Sequence, residues 1–367
     1  KNSKKKVTPK MKLKYITTFI AIIFLVLASC SEKHNDLANV SNTLLYDEPA
    51  TEWLEALPLG NGHLGAMVFG GVKEEKLYLN EESLWAGTPE DPYPENVAMH
   101  YKKFQQLNLQ GNYDDAFDYA MKNLAVSPTA YRSYEPLGRL FLTFGHDGPP
   151  EAYTRRLDLE TGIFTVEYTI GGKRFRRESF ISTDYDVLVY RFESLDGEQL
   201  SSQIDFQREK DVTVEIVDDQ IIEVTGQIFD DPNGYEDNRG GSGEGGYHMK
   251  FSGHTGILQN NGETLTSGSK LNIENSTSFT LIASAATDYA IDKMNFDRSI
   301  DSKKNSMATL QAALQIPYDE IKAKHIAEHS EIFNRVKLEI QADSPDSLST
   351  GKRLERLAEG AEDVGLE

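Results

Sequence analysis

The sequence has a single cysteine, Cys30, and only two tryptophans among its 367 residues. One cysteine excludes an internal disulfide bond, and it excludes a zinc site built from several thiolates. If Cys30 carries a lipid, no thiol remains to serve as a catalytic nucleophile. The fold must therefore be stabilised by its hydrophobic core, for which 39% hydrophobic residues are sufficient.

Basic residues are also scarce. The chain has 38 Lys and Arg against 58 Asp and Glu, which gives a formal net charge of -20. Affinity for a nucleic acid depends on cationic side chains that release counterions from the phosphate backbone. The composition therefore argues against a nucleic-acid partner and favours an uncharged ligand.

The apolar run near the amino terminus, residues 16–28, is shorter than the roughly 20 residues that a membrane-spanning helix needs. Lys12 and Lys14 precede it, and residues 27–30 (LASC) match a bacterial lipobox. This pattern predicts a lipoprotein signal segment over residues 1–29, lipidation of Cys30, and a polar tether over 30–42. We expect an exported bacterial lipoprotein, periplasmic or on the outer membrane and cell surface; an uncleaved membrane anchor is the alternative.

Residues 58–89 read PLGNGHLGAMVFGGVKEEKLYLNEESLWAGTP and hold a cluster of glycines. Glycines interleaved with apolar residues favour close-packed β structure. We predict a hairpin that turns at Gly70 and Gly71, with Leu77 and Leu79 on one face of its second strand and Tyr78 on the other.

The end of this stretch combines two carboxylates with a tryptophan, a mixture that sugar-binding surfaces often use. Glu81, Glu82 and Trp85 are therefore candidate substrate contacts. Neighbours on a strand point to opposite faces, so Glu81 and Glu82 alone cannot flank one glycosidic bond at the separation of roughly 6.5 to 9.5 Å that inverting enzymes use. Core packing of Trp85 is the alternative to sugar contact.

Short alternating runs between residues 137 and 286 predict an antiparallel sandwich, with turns at Gly171-Gly172 and at residues 218–220. Residues 95–124 have helical spacing and predict an inserted helical hairpin whose apolar stripes lie in the core. The stripes contain the following residues: Val97, Tyr101, Phe104 and Leu107 in the first, and Tyr113, Phe117, Ala120 and Leu124 in the second. Further helices are predicted over 300–314, 317–336 and 352–360.

Two patterns suggest a metal ion only weakly. The acidic, glycine-rich residues 230–246 predict a long loop, but their spacing does not fit an EF-hand calcium loop. His325, Glu328 and His329 have the spacing of an inverted zinc-protease motif on a helix. Because no third ligand segment accompanies them, we expect a structural role, and we predict neither a metal nor a cofactor.

Four further segments follow the glycine-rich stretch in order: residues 134–144 (YEPLGRLFLTF), 153–159 (YTRRLDL), 166–191 around Arg177-Glu178-Ser179-Phe180, and 329–338 (HSEIFNRVKL). Together with Trp53, they resemble the amino-terminal domain of glycoside hydrolase family 95, whose members are mainly α-L-fucosidases. The resemblance implies a mainly β fold, an antiparallel β-super-sandwich with an inserted helical hairpin. A helical linker and an (α/α)6 barrel would follow.

The resemblance implies domain boundaries at 43–295 for the sandwich, 296–342 for the linker, and 343–367 for the start of the barrel. In this family the barrel carries the catalysis: a glutamate acts as general acid, and an asparagine assisted by an aspartate activates water. None of these motifs matches a segment of this chain, so no catalytic residue is assigned in it.

The implied function is the amino-terminal part of an inverting α-L-fucosidase that acts on fucosylated glycans, with the barrel absent from this chain. Two alternatives stay open. One is an α-L-galactosidase of the same family, and the other is a non-catalytic glycan-binding or structural lipoprotein.

Overall fold

Antiparallel β-strands dominate the fold. The computed structural model describes residues 42–86, 94–125, 134–230, 246–338, 348–363 and 366. The strands are β1 (Thr43–Tyr46), β2 (Leu57–Gly60), β3 (Leu64–Val68), β4 (Glu74–Glu81), β5 (Gly138–Phe144), β6 (Glu151–Asp158), β7 (Ile163–Ile170), β8 (Lys173–Ser182), β9 (Val187–Ser194), β10 (Leu200–Gln207), β11 (Val212–Val217), β12 (Ile221–Asp230), β13 (Gly246–Asn260), β14 (Glu263–Ser267), β15 (Lys270–Ser276), β16 (Ser278–Thr287), β17 (Tyr289–Ala290) and β18 (Asn295–Phe296).

The helices are α1 (Val97–Leu109), α2 (Tyr113–Asn123), α3 (Ser302–Ala313), α4 (Tyr318–Phe333) and α5 (Thr350–Ala358), with single 3-10 turns at Trp53–Glu55 and Ile291–Lys293. None of the helices in the described part of the chain is both long enough and apolar enough to cross a bilayer. The signal segment, the site at Cys30, and nearly all of the predicted tether and acidic loop lie outside the described residues.

Two large sheets form the sandwich. The nine-stranded sheet has the order β1-β6-β7-β8-β9-β16-β13-β12-β11, and the seven-stranded sheet has the order β14-β15-β10-β5-β4-β3-β2. Every strand pairing in both sheets is antiparallel. The predicted fold class, an antiparallel β-sandwich with helical segments, is confirmed.

The three predicted hairpins are present, and in one of them β11 and β12 pair on either side of residues 218–220. Strands β3 and β4 pair with Leu64 opposite Glu81, and β7 and β8 are joined by Gly171 and Gly172. Both glycines have positive φ angles, +57° and +75°, which a two-residue hairpin turn requires. Local turn chemistry therefore set the register of these strands.

The main core lies between the two sheets. Along β4, Leu77 and Leu79 are buried while Tyr78 faces outward, as the alternation predicts. Phe144 of the seven-stranded sheet packs against Phe192 of the nine-stranded sheet, with ring centroids 5.2 Å apart. Aromatic pairs at this separation add to the stabilisation from apolar burial.

The outer face of the nine-stranded sheet is covered by α3 and α4. Leu310 of α3 and Ile321 of α4 are fully buried against Phe180, Val189 and Ile282. Asp301 caps α3, since its side chain accepts a hydrogen bond from the backbone N–H of Lys304. The sheet therefore has a core on each side.

The inserted hairpin departs from the prediction. Helices α1 and α2 pack mainly on each other, and of their residues only Ala116 is buried. Tyr101, Tyr113 and Phe117 are 51%, 69% and 65% exposed. The prediction that both apolar stripes lie in the core is wrong, because one part of each stripe forms the seam between the helices while the rest has no covering element in the described chain.

Candidate functional site

The glycine-rich stretch is packed against a buried arginine. Nη1 of Arg177 donates to the carbonyl of Gly71 and Nη2 donates to that of Val72, at 2.5 and 2.9 Å. A side chain on Gly71 would place its Cβ 2.0 Å from the carbonyl oxygen of Glu74. Glycine is needed here because the backbone folds tightly onto itself.

Arg177 also pairs with the carboxylate of Glu75 at 3.3 Å, and the two side chains are 1% and 0% exposed. Its guanidinium lies over the rings of Phe144 and Tyr168, 4.4 and 4.8 Å from their centroids. Burial raises the pKa of Glu75, although Arg177 and the backbone N–H of Gly70 act in the opposite direction. The pair is enclosed in the core and is unavailable to a ligand.

Glu81 faces inward at the end of β4 and is 2% exposed. Its oxygens accept hydrogen bonds from Nε2 of His63 and from the backbone N–H and hydroxyl of Ser83, all at 2.9 Å. The Ser83 hydroxyl in turn contacts the hydroxyl of Thr287. These bonds supply the Glu81 carboxylate with hydrogen-bond donors and hold it inside the fold.

Glu82 and Trp85 face the solvent on the opposite side. The backbone N–H of Glu82 donates to the carbonyl of His63 at 2.9 Å, and the Glu82 side chain is exposed. Trp85 is 46% exposed, and its indole N–H donates to the carbonyl of Glu82 at 3.2 Å. Trp85 and Glu82 are thus both exposed, whereas Glu81 is buried.

Trp85 is held from behind by Tyr134. The two residues form an isolated antiparallel bridge, and their rings meet edge to face with centroids 5.3 Å apart. The Tyr134 hydroxyl donates to the carbonyl of Glu81 at 2.7 Å. Burial, followed by the charges of Glu81 and Glu82, raises the pKa of Tyr134 to about 12, so its hydroxyl remains protonated.

His63 links the two sheets at this end of the sandwich. Its Nδ1 lies 2.8 Å from Oδ2 of Asp186, and its Nε2 lies 2.9 Å from Oε1 of Glu81. Hydrogen bonds to Asp186 and Glu81 raise the pKa of His63 to about 10. Asn61 completes the cluster by donating to Asp186 at 2.9 Å. Because His63 is protonated at neutral pH, it cannot serve there as a general base.

Sequence reasoning missed His63 and Asp186. They are 123 positions apart, and no local pattern connects them. The one available signal was the position of His63 inside the glycine-rich stretch, directly before a predicted strand.

The histidines of the zinc-like pattern, His325 and His329, lie on α4 against the turn before β7. The His325 ring stacks on Phe180 at 4.7 Å, and Nε2 of His329 donates to the carbonyl of Leu159 at 2.9 Å. Burial, with a smaller effect of His329, lowers the pKa of His325 to about 4. Both rings are used in packing α4 onto the sheet.

A buried Ser-His-Glu arrangement joins α3 to the nine-stranded sheet. Nδ1 of His254 lies 2.9 Å from the Ser306 hydroxyl, and its Nε2 lies 3.1 Å from a Glu223 oxygen. Ser306 and His254 are 0% and 1% exposed, so no substrate reaches the hydroxyl. Within the residues that the structure describes, no group of three His, Cys, Asp or Glu side chains is arranged to hold a metal ion.

Comparison with known proteins identifies the chain. The family model "Glycosyl hydrolase family 65, N-terminal domain" matches residues 44–292. The chain belongs to this family of glycoside hydrolase N-terminal domains. This match confirms the predicted resemblance at the level of a glycoside hydrolase N-terminal portion.

Relatives named as fucosidases include a plant protein and fungal proteins. Alpha-L-fucosidase 2 of Arabidopsis thaliana is 27% identical over 321 residues, which are 82% of this chain and 37% of that protein. Probable alpha-fucosidase A of Aspergillus niger is 33% identical over 143 residues, 38% of this chain and 18% of that protein. The chain therefore spans little more than a third of the plant relative and less of the fungal one.

One solved structure that the fold matches is described as a putative kojibiose phosphorylase from the human microbiome. It has a TM-score of 0.44 and 11% identity, and the match covers 85% of this chain and 40% of that one.

Proposed function

We propose that the chain is the amino-terminal part of an exported, lipid-anchored glycoside hydrolase, an inverting α-L-fucosidase that acts on fucosylated glycans. In this proposal the acid and base belong to a helical barrel outside the chain. The observation that carries it is the similarity to Alpha-L-fucosidase 2, which extends over 82% of this chain and 37% of that protein.

The arrangement of the two candidate carboxylates supports a non-catalytic role for this stretch of the chain. Glu81 and Glu82 face opposite sides of the strand end, and the oxygens of Glu81 are already engaged by His63 and Ser83. Most glycoside hydrolases place two carboxyl groups on either side of the bond that is cleaved. The sandwich then supports the barrel, while the exposed pair Trp85 and Glu82 is available to contact a glycan.

The test is hydrolysis of an aryl α-L-fucoside by two proteins, this chain and the polypeptide read through the next open frame of the same gene. We expect activity in the longer protein alone. Full activity in this chain would contradict the need for a barrel. An aryl α-L-galactoside is measured in parallel. If the protein is instead an α-L-galactosidase, kcat/KM should be higher for the galactoside than for the fucoside.

One observation favours a second candidate function, a non-catalytic glycan-binding lipoprotein. Trp85 keeps 46% of its surface exposed, and the exposed residue Glu82 lies next to it, where its backbone carbonyl accepts a hydrogen bond from the indole N–H. An aromatic ring next to a hydrogen-bonding group suits the apolar face and hydroxyls of a sugar. A stop codon directly after Glu367, combined with saturable binding of a fucosylated glycan, would favour this candidate over the enzyme.

A further inference from the structure

Helices α1 and α2 form an excursion from the seven-stranded sheet. The chain leaves β4 at Glu81 and returns at Tyr134, where the Trp85–Tyr134 bridge closes the base of the excursion. A backbone hydrogen bond of 2.9 Å from Glu135 to the carbonyl of Leu84 lies beside that bridge. The base is therefore fixed to the sandwich.

By packing on each other, the two helices bury only one side of the hairpin. Ala116 is buried in their seam, where a ring nitrogen of His100 lies 2.8 Å from the Tyr119 hydroxyl. Tyr113, Phe117 and Met121 occur at intervals of four residues along α2 and form one stripe. They are 69%, 65% and 54% exposed.

The sheet-facing sides of α3 and α4, by contrast, are covered. Leu310 of α3 and Ile321 of α4 are each 0% exposed, because both helices lie on the nine-stranded sheet. Aromatic and methionine side chains like those of the α2 stripe are enriched at protein interfaces, whereas exposed apolar stripes are uncommon on free surfaces. The described chain leaves this stripe uncovered, which is the exposure expected of a docking surface.

We propose that a catalytic domain in the same polypeptide docks on the stripe formed by Tyr113, Phe117 and Met121. This inference rests on the proposed function, which places a barrel outside this chain. The length of the plant relative supports the choice of a further domain as the binding partner of the stripe. The part similar to this chain makes up only 37% of that protein.

The area of the stripe also favours an occupant in the same polypeptide. With Met99 and Tyr101 added, the exposed apolar surface of the hairpin is on the order of 500 Å². A stable complex between separate chains buries about 800 Å² per partner. A covalently attached domain needs less, because its effective concentration is high.

Hydrogen–deuterium exchange of this chain and of the longer polypeptide tests the proposal. We expect the amides of 97–123 to exchange about tenfold more slowly in the longer protein. The double variant Tyr113→Ser/Phe117→Ser should restore fast exchange there. The matched control Ile291→Ser/Met294→Ser, at side chains that are 75% and 71% exposed, should not.

The outcomes separate this inference from the proposed function. Equal exchange of the hairpin in both proteins, with α-L-fucoside hydrolysis by the longer one, would overturn the docking and leave the fucosidase proposal standing. Slow exchange without hydrolysis would support the docking and overturn the assigned activity. Concentration-dependent dimerisation of this chain, abolished by the double variant, would identify a second copy as the occupant and overturn the proposal.

Discussion

His63 is joined to Glu81 at the start of the β3–β4 pair, with 2.9 Å between Nε2 and Oε1. The same ring reaches Asp186, on the turn between β8 and β9, with its other nitrogen. One imidazolium therefore ties the carboxylate of one sheet to that of the other. The link lies at the end of the sandwich that carries Trp85, since the Tyr134 hydroxyl behind Trp85 donates to the carbonyl of Glu81.

Replacing His63 should destabilise the fold in a pH-dependent way. His63→Ala leaves the buried Glu81 carboxylate without one of its donors, and we expect a loss of about 1–3 kcal/mol near pH 6. The pKa of His63 is raised to about 10 in the folded protein, so its contribution is fully present below about pH 6.5 and is lost as the pH rises through about 10. The gap between wild type and variant should therefore narrow at alkaline pH.

Urea unfolding of both proteins at pH 6, 8 and 10 measures this gap. A difference that stays constant over the whole range would show that the His63 interactions do not depend on protonation.

Replacing Arg177 should cost more. Arg177→Met leaves the carboxylate of Glu75 buried without its cation, and breaking a buried pair in this way costs about 3–5 kcal/mol. The double variant Arg177→Met/Glu75→Gln removes both charges and should regain part of the loss. Guanidinium denaturation midpoints compare the three proteins. A double variant no more stable than Arg177→Met would contradict an electrostatic origin of the loss.

The docking of α4 should be sensitive to Gly162. This residue has a φ of +67°, and an added Cβ would lie 3.0 Å from Nδ1 of His329 and 3.1 Å from Nε2 of His325. Gly171, at +57°, has nothing within 4 Å and is the matched control. Both alanine variants suffer backbone strain, but Gly162→Ala should be less stable than Gly171→Ala by about 1–3 kcal/mol because of crowding. Thermal unfolding measures the difference, and equal melting temperatures would argue against close packing of the helix on this turn.

The exposed tryptophans offer a test of glycan contact. If the surface around Trp85 and Glu82 binds sugar, Trp85→Ala should abolish saturable binding of a fucosylated oligosaccharide without unfolding the protein. Trp53, which is 51% exposed, is the matched control, and its alanine variant should bind normally. Titration calorimetry with wild type and both variants measures this. If Trp85→Ala still binds the oligosaccharide, the glycan contacts another surface of the protein.

Much of the sandwich could be predicted from local patterns. Alternation placed Leu77 and Leu79 in the core, and two glycines fixed the β7–β8 turn, because side-chain period and turn chemistry act over a few residues. The short strands β1 and β2 and the hairpin β14–β15 were not predicted. β1 and β14 are edge strands whose side chains are partly buried or exposed, so their alternation is weak, and β2 is an edge strand of only four residues.

The candidate site was predicted less well. The sequence pointed to Glu81, Glu82 and Trp85, and alternation foretold that the two carboxylates diverge, but the partners of Glu81 depend on contacts between distant strands. The apolar stripes of α1 and α2 show a second limit. Periodicity identifies an apolar face, but it does not identify the surface that covers that face.

The Trp85–Tyr134 bridge makes the inserted hairpin separable from the sandwich. Residues directly opposite each other in an antiparallel pair have Cα atoms about 5 Å apart, so the chain departs and returns at almost the same place. A short turn between Trp85 and Tyr134 would close the same strand ends. The sandwich can thus acquire, lose or exchange the segment between them without rebuilding its own core, which makes this position a natural point for varying the surface of the domain.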